Sequence, residues 1–261
     1  MLFLALICAA VACGGGGGGS SGPLSRRFDD GFIGGVEMNQ KTEMMTASNS
    51  WSEAKFERSK VDADLTAAEL QLKVAKNEAK GAKLKEDSAR AARKSADASA
   101  DQNKINEAMR QLRAAEKFRK AGELRVKYLE AYKNYLKAEL RAADDNAYWY
   151  EAQFEVQKAK IAKANNIAPK GFSYDDYTRQ ESDRRSRAAN AKAKAAREKQ
   201  RAYDARNKWL QMQSEADTMI GVKNQLTDPM APKPIQGSDM TRGAGGITIG
   251  NGTESGSASP Q

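Results

Sequence analysis

The densest set of side chains able to do chemistry lies between Arg184 and Lys208. Arg184, Arg185, Arg187, Lys192, Lys194, Arg197, Lys199, Arg201, Arg206 and Lys208 fall there, opposed only by Glu198 and Asp204. Such a run reads in two ways: as the solvated face of an alanine-rich helix, or as a surface that gathers the charges of a polyanion. Without a nucleic-acid-binding motif, it would hold phosphates with no sequence preference. Other reactive residues are few. The chain has no histidine, which removes the commonest general base near neutral pH and the commonest metal ligand. Its two cysteines, Cys8 and Cys13, sit at the extreme N-terminus, so no disulfide framework and no cysteine zinc site is available downstream. The acidic pairs Asp29-Asp30, Asp144-Asp145 and Asp175-Asp176 are consecutive residues, and neighbours on a helix do not converge on one point. No Ser/His/Asp, Cys/His, P-loop or metal-ligand pattern is present. The expectation is a protein that is not an enzyme and needs no metal.

The elements that position these residues are helices. Ala121, Leu124, Tyr128, Ala131, Tyr135, Ala138, Ala142, Asp145, Trp149, Ala152, Val156 and Ala159 keep an alternating three–four spacing. Beside that line runs another: Leu129, Tyr132, Leu136, Leu140, Ala143, Ala147, Tyr150 and Phe154. A helix with two adjacent apolar lines can serve two neighbours. Asp145 stands in the first line, where one polar residue commonly fixes register. An earlier stripe, Val61, Leu65, Ala68, Leu72, Ala75, Ala79 and Ala82, belongs to a first helix. The capping box Ser50-Trp51-Ser52-Glu53 predicts its start. Ser173-Tyr174-Asp175-Asp176 predicts the start of a third, with Phe172 and Tyr177 as a hydrophobic staple and Gly221 as its end.

Size matching orders these helices. A turn near residue 101 sets Leu72 against Leu129, Leu65 against Leu136, Leu84 against Phe118, and Trp51 against Trp149 and Tyr150. A turn near Pro169 sets Trp209 against Leu129, Tyr203 against Tyr135 and Ile220 against Phe118. Residues 85–117 then project past the third helix as a two-helix hairpin. No Gly or Pro marks the first turn, so a single helix from Ser50 to Asn166 stays open as an alternative. Residues 24–47 have no helical period and read as a mostly mobile linker. Residues 222–261, rich in Gly, Ser, Thr and Pro, read as a disordered tail, with Gly246–Gly250 its only candidate docking strand.

Residues 1–13 form an apolar run too short to span a bilayer but suited to the core of a signal peptide. Its end, Ala10-Val11-Ala12-Cys13, resembles the lipobox of bacterial lipoproteins. That resemblance implies cleavage before Cys13 and a covalent diacylglycerol and acyl lipid (such as palmitate) on its thiol. Gly14 in place of an aspartate after the cysteine implies the outer membrane, facing the periplasm. The glycines Gly14–Gly19 then act as a flexible tether. The chain departs from the family in having Ala10 where Leu is usual and no basic residue before Arg26.

The expected architecture is all-α. A signal peptide (1–12) precedes a lipidated cysteine with a flexible linker (13–49). An antiparallel three-helix coiled-coil rod (50–221, helices about 50–98, 104–166 and 173–221) and the tail (222–261) follow. The expected function is a membrane-anchored structural or scaffolding lipoprotein of the bacterial envelope. Its partners would be the membrane, a protein partner or a second copy along the helical faces, and anionic lipid or an envelope polymer at Arg184, Arg185, Arg187, Lys192, Lys194, Arg197, Lys199 and Arg201. The alternative is a cytoplasmic basic coiled coil that binds nucleic acid, a partner the exported reading disfavours.

Overall fold

The computed structural model describes residues 22–169, 171, 173–221 and 226–231. The signal segment, Cys13 and its glycine tether, Phe172, the tail beyond 231 and Gly246–Gly250 lie outside the described residues. Backbone contacts divide the chain into one unit of residues 1–226 and another of 227–261. In the second, the described residues make a turn in which the Met230 and Ala231 amides donate to the Asp228 carboxylate and carbonyl, both at 3.1 Å.

The first unit is all-α among its described residues. Two short 3-10 turns, Asp30–Ile33 and Met38–Lys41, lead into α1 (Thr42–Ala98), α2 (Gln102–Ala164) and α3 (Tyr174–Ile220). Residues 42–164 are two helices, not one. Ala100 adopts φ 54, and Asp101 caps α2 by accepting from the Asn103 and Lys104 amides. The α2 end is a Schellman turn: Asn166 has φ 55 and the Ile167 amide donates to the Ala162 carbonyl at 2.8 Å. Gly221, at φ 67, closes α3 as expected.

One helix start differs from the sequence reading, and at another the expected capping bond is absent. Helix α1 begins at Thr42, and Ser50 lies inside it. The upstream turn is held against the body: Met44 packs on a cluster of Phe28, Ile33, Ala159, Ile161, Ala162 and Tyr177. Tertiary packing thus extends the helix past a local capping signal. Ser173 precedes α3 without a side-chain cap. Asp176 instead pairs with Arg26 at 3.2 Å, and the Tyr177 ring meets Phe28 edge-on.

α2 packs along both other helices, whereas α1 and α3 barely meet. Its two apolar lines go to different neighbours. On the α3 side, Tyr128 stacks on Trp209 with centroids 5.3 Å apart, and Ala138 and Ala142 cluster with Ala195. The facing seam of α3 is a strict heptad of buried residues, Ala188, Ala195, Ala202, Trp209 and Ala216, the repeat of a left-handed supercoil. On the α1 side, Phe154 stacks on Trp51, one turn from the expected Trp149 and Tyr150; Trp149 turns toward α3 and donates to Glu181 at 2.6 Å. Lys117 of α2 pairs with Glu215 of α3, near the end of that helix. Residues 85–98 and 102–117 therefore continue as a two-helix hairpin.

These seams are narrow and alanine-rich, so ion pairs matter beside them. Glu86 is 4% exposed on α1 and accepts from Arg90 of its own helix and from Arg119 of α2. Burial pushes its carboxyl pKa up, but the two guanidiniums outweigh burial and hold it below the ordinary 4.5. Because the folded value lies below the unfolded one, this pairing stabilises the fold above about pH 4.5 and is lost as pH falls through the folded value. The stability gap between wild type and Glu86→Gln should be widest at pH 7 and shrink at pH 3, read by thermal melts. Leu136 is buried on α2, so Leu136→Asp should cost about 4 kcal/mol through an unpaired buried carboxylate. Exposed Ala98 next to the turn should tolerate the same change to within about 0.5 kcal/mol. Circular dichroism melts compare the two.

Candidate functional site

The segment read as a mobile linker is a strap. Residues 22–33 lie over the junction of α2 and α3, and almost every residue up to Asp30 is tied down. The Arg184 guanidinium donates to the Gly22 and Pro23 carbonyls at 2.8 and 3.2 Å. Leu24 is buried. The Gln180 side-chain amide reads the Arg26 backbone from both sides: its oxygen accepts from the Arg26 amide and its nitrogen donates to the Arg26 carbonyl, each at 2.9 Å. That pairing imitates a step of a β-ladder. Arg27 reaches Glu151 at 2.6 Å, and the Phe28 amide donates to Glu155. The Phe28 and Ile33 side chains are buried in the cluster that receives Met44.

The strap changes the character of α2. Glu151, Glu155 and Lys158 sit at i, i+4 and i+7, the face a sequence reading assigns to solvent, yet all are buried. They are not stranded charges. Lys158 Nζ contacts Glu155 at 2.9 Å and Asp30 at 2.7 Å and lies over the Phe154 ring. A buried ion pair tolerates its desolvation only when further hydrogen bonds complete it, and the strap backbone supplies them. The signal was present in complementary composition: Arg26, Arg27 and Asp30 on one segment match Asp176, Glu151 and Lys158 on the helices.

The basic residues of α3 separate into two groups. Arg185, Arg187, Lys192, Lys194, Arg197, Lys199 and Arg201 are exposed. Arg201 pairs with Glu198 at 2.7 Å, and Lys199 lies 5.8 Å from the Tyr135 ring centroid. Arg184 is different, at 8% exposure. It occupies the seam register that continues through Tyr177, Glu181, Arg184, Ala188, Ala191 and Ala195, so the spacing that buries those alanines buries it too. Its guanidinium lies 5.2 Å from the Tyr148 ring centroid. Burial, then the neighbouring Arg187 charge, lowers its pKa from the usual value.

A polar cavity of about 250 Å³ opens beside this arginine, lined by Ser25 and Arg26 of the strap and by Asp176, Arg179, Gln180, Asp183, Arg184 and Arg187 of α3. Another cavity, about 460 Å³, lies where α3 ends; Phe118, Gly122 and Ile220 form part of its wall, with Arg125 paired to Glu78. Among the described residues no cluster of His, Cys, Asp and Glu is placed to hold a metal ion, and no helix is long and apolar enough to cross a membrane. No family model, curated protein or solved structure matches the chain.

The strap should open independently of the bundle. Glu155→Ala removes the acceptor of the Phe28 amide and the buried carboxylate partner of the Lys158 ammonium, a loss of about 3 kcal/mol. Hydrogen exchange at the Phe28 amide should speed up by about two orders of magnitude, with α2 and α3 protection near Trp209 unchanged.

Proposed function

We propose that this chain is a lipid-anchored scaffold of the bacterial cell envelope, held by Cys13 and most simply placed at the outer membrane facing the periplasm. The observation that carries the reading is the order of parts along the chain. A lipobox-like Ala10-Val11-Ala12-Cys13 and a glycine run lead directly into a strap stapled to the helical body by Arg27, Phe28 and Arg184. An anchor transmits position, or load, to a folded body only if the chain after the tether is fixed to that body. The strap supplies such a fixture, with buried apolar contacts and charge-assisted hydrogen bonds that a free linker does not need.

The fixture also sets a polarity. The strap grips α2 at Glu151–Lys158, whereas the turn to α1 lies at residues 99–101. About 50 helical residues separate them, so the hairpin turn stands about 75 Å along α2 from the strap, at 1.5 Å per residue. In the anchored protein the strap end faces the membrane and the two-helix hairpin reaches away from it, toward a protein partner. The exposed cations from Arg185 to Arg201 lie between, positioned to meet anionic lipid or an acidic envelope polymer.

Metabolic labelling with an alkyne fatty acid in a bacterial host tests the reading. The wild-type chain should incorporate label and sediment with membranes. Cys13→Ser should lose the label and shift to the soluble fraction. A Cys13→Ser chain that stays on membranes as fully as wild type would remove the lipid anchor from the account.

A further inference from the structure

We propose that the cavity between the strap and α3 is a binding site for a single phosphate group. Two adjacent rows of α3 form its floor: Asp176, Gln180 and Arg184 at i, i+4 and i+8, and Arg179, Asp183 and Arg187 beside them. Arg26 of the strap closes the side and is held there by the two-way pairing of its backbone with Gln180. Four guanidiniums therefore line the cavity against two carboxylates, and Asp176 is already engaged by Arg26. The cavity carries a cationic excess in a pocket of about 250 Å³, the share of roughly eight water molecules. That is room for an oxyanion with part of its hydration.

The decisive feature is Arg184. Its side chain is more than nine-tenths buried, Nη2 is capped by two strap carbonyls, and Nη1 is buried with no hydrogen-bond partner. A buried guanidinium nitrogen without an acceptor is costly. The charge of Arg187 beside it adds repulsion rather than relief. Nη1 itself is closed off from the cavity, so an oxyanion there would act by neutralising the charges of Arg184 and Arg187 at its wall. Planar arginine forks converging on a tetrahedral group match the oxygens of phosphate better than a point charge could. The exposed cations farther along α3 lack this enclosure and would act only as a diffuse field.

The phosphate could belong to a lipid headgroup or to a free phosphate species. The first source rests on the proposed anchoring, since the strap end is the one nearest the membrane; the site itself does not. Both are tested on the full chain carrying Cys13→Ser, which carries no lipid and so separates this test from that of the anchor. Titration with inorganic phosphate by calorimetry should show saturable binding. Arg187→Gln and Arg179→Gln should each weaken it by about tenfold, as expected for loss of one charge-assisted hydrogen bond. Lys194→Gln, on the exposed run, should change it by less than about twofold. Helicity and protection of the Phe28 amide report that each variant keeps its fold and strap. Cosedimentation with phosphatidylglycerol vesicles in the same rank order assigns the phosphate to a lipid headgroup; saturable phosphate binding without that order on vesicles assigns it to a free species. Absence of saturable phosphate binding overturns the site. So does equal weakening by Arg187→Gln and Lys194→Gln, which would mean a diffuse basic surface only.

Discussion

Everything in this molecule depends on α2 having two apolar faces. A helix in an antiparallel pair needs one stripe; α2 carries two, and each is answered by a different partner. Tyr128 and Trp209 fill one seam, Trp51 and Phe154 the other. Since α1 and α3 barely meet, neither outer helix can hold the other in place. The stability of the whole body passes through α2. The seams it makes are thin, rich in alanine, and bury little area per turn. Interhelical charges such as Glu86 with Arg119, Arg58 with Asp144 and Lys117 with Glu215 then specify register where large side chains are scarce.

The strap obeys different rules from the helices. It has no period and almost no regular structure, yet it buries Leu24, Phe28 and Ile33 and turns three charged residues of α2 into interior ones. Its backbone polar groups at Gly22, Pro23, Arg26 and Phe28 are met by side chains of α2 and α3, and those of Asp29 and Gly31 by its own turn. This leaves it an attachment whose strength is set by a handful of named contacts, separable from the folding of the bundle. It also closes one side of the arginine-lined cavity through Ser25 and Arg26, the latter held by Gln180 and Asp176.

The helices were legible from spacing alone. Period, size matching and Gly221 located three helices and both turns, with only the start of α1 several residues off, because coiled-coil seams repeat the same constraint many times. The turn at Ala100 carried no glycine or proline, so only size matching placed it. The start at Ser50 misled because a capping motif is local and was overridden by Met44 packing; Ser173 does precede α3, but Asp176 of its capping box is taken by Arg26. The strap was illegible for a deeper reason: single long-range contacts leave no periodic trace. Arg184 could have been distinguished from its basic neighbours, since it alone of the exposed-looking run falls on the seam spacing of Tyr177, Ala188 and Ala195.

In the proposed scaffold a lipid acceptor and a short tether would be fastened to the body by the strap, with the hairpin extending away from it. The central claim is chemical and sits at Cys13. Intact mass spectrometry of the protein isolated from bacterial membranes tests it most directly. The account predicts a mature chain that begins at Cys13 and carries the mass of a diacylglycerol with or without an N-acyl chain. A chain that begins at Met1, or an unmodified Cys13 in membrane-derived protein, would contradict it.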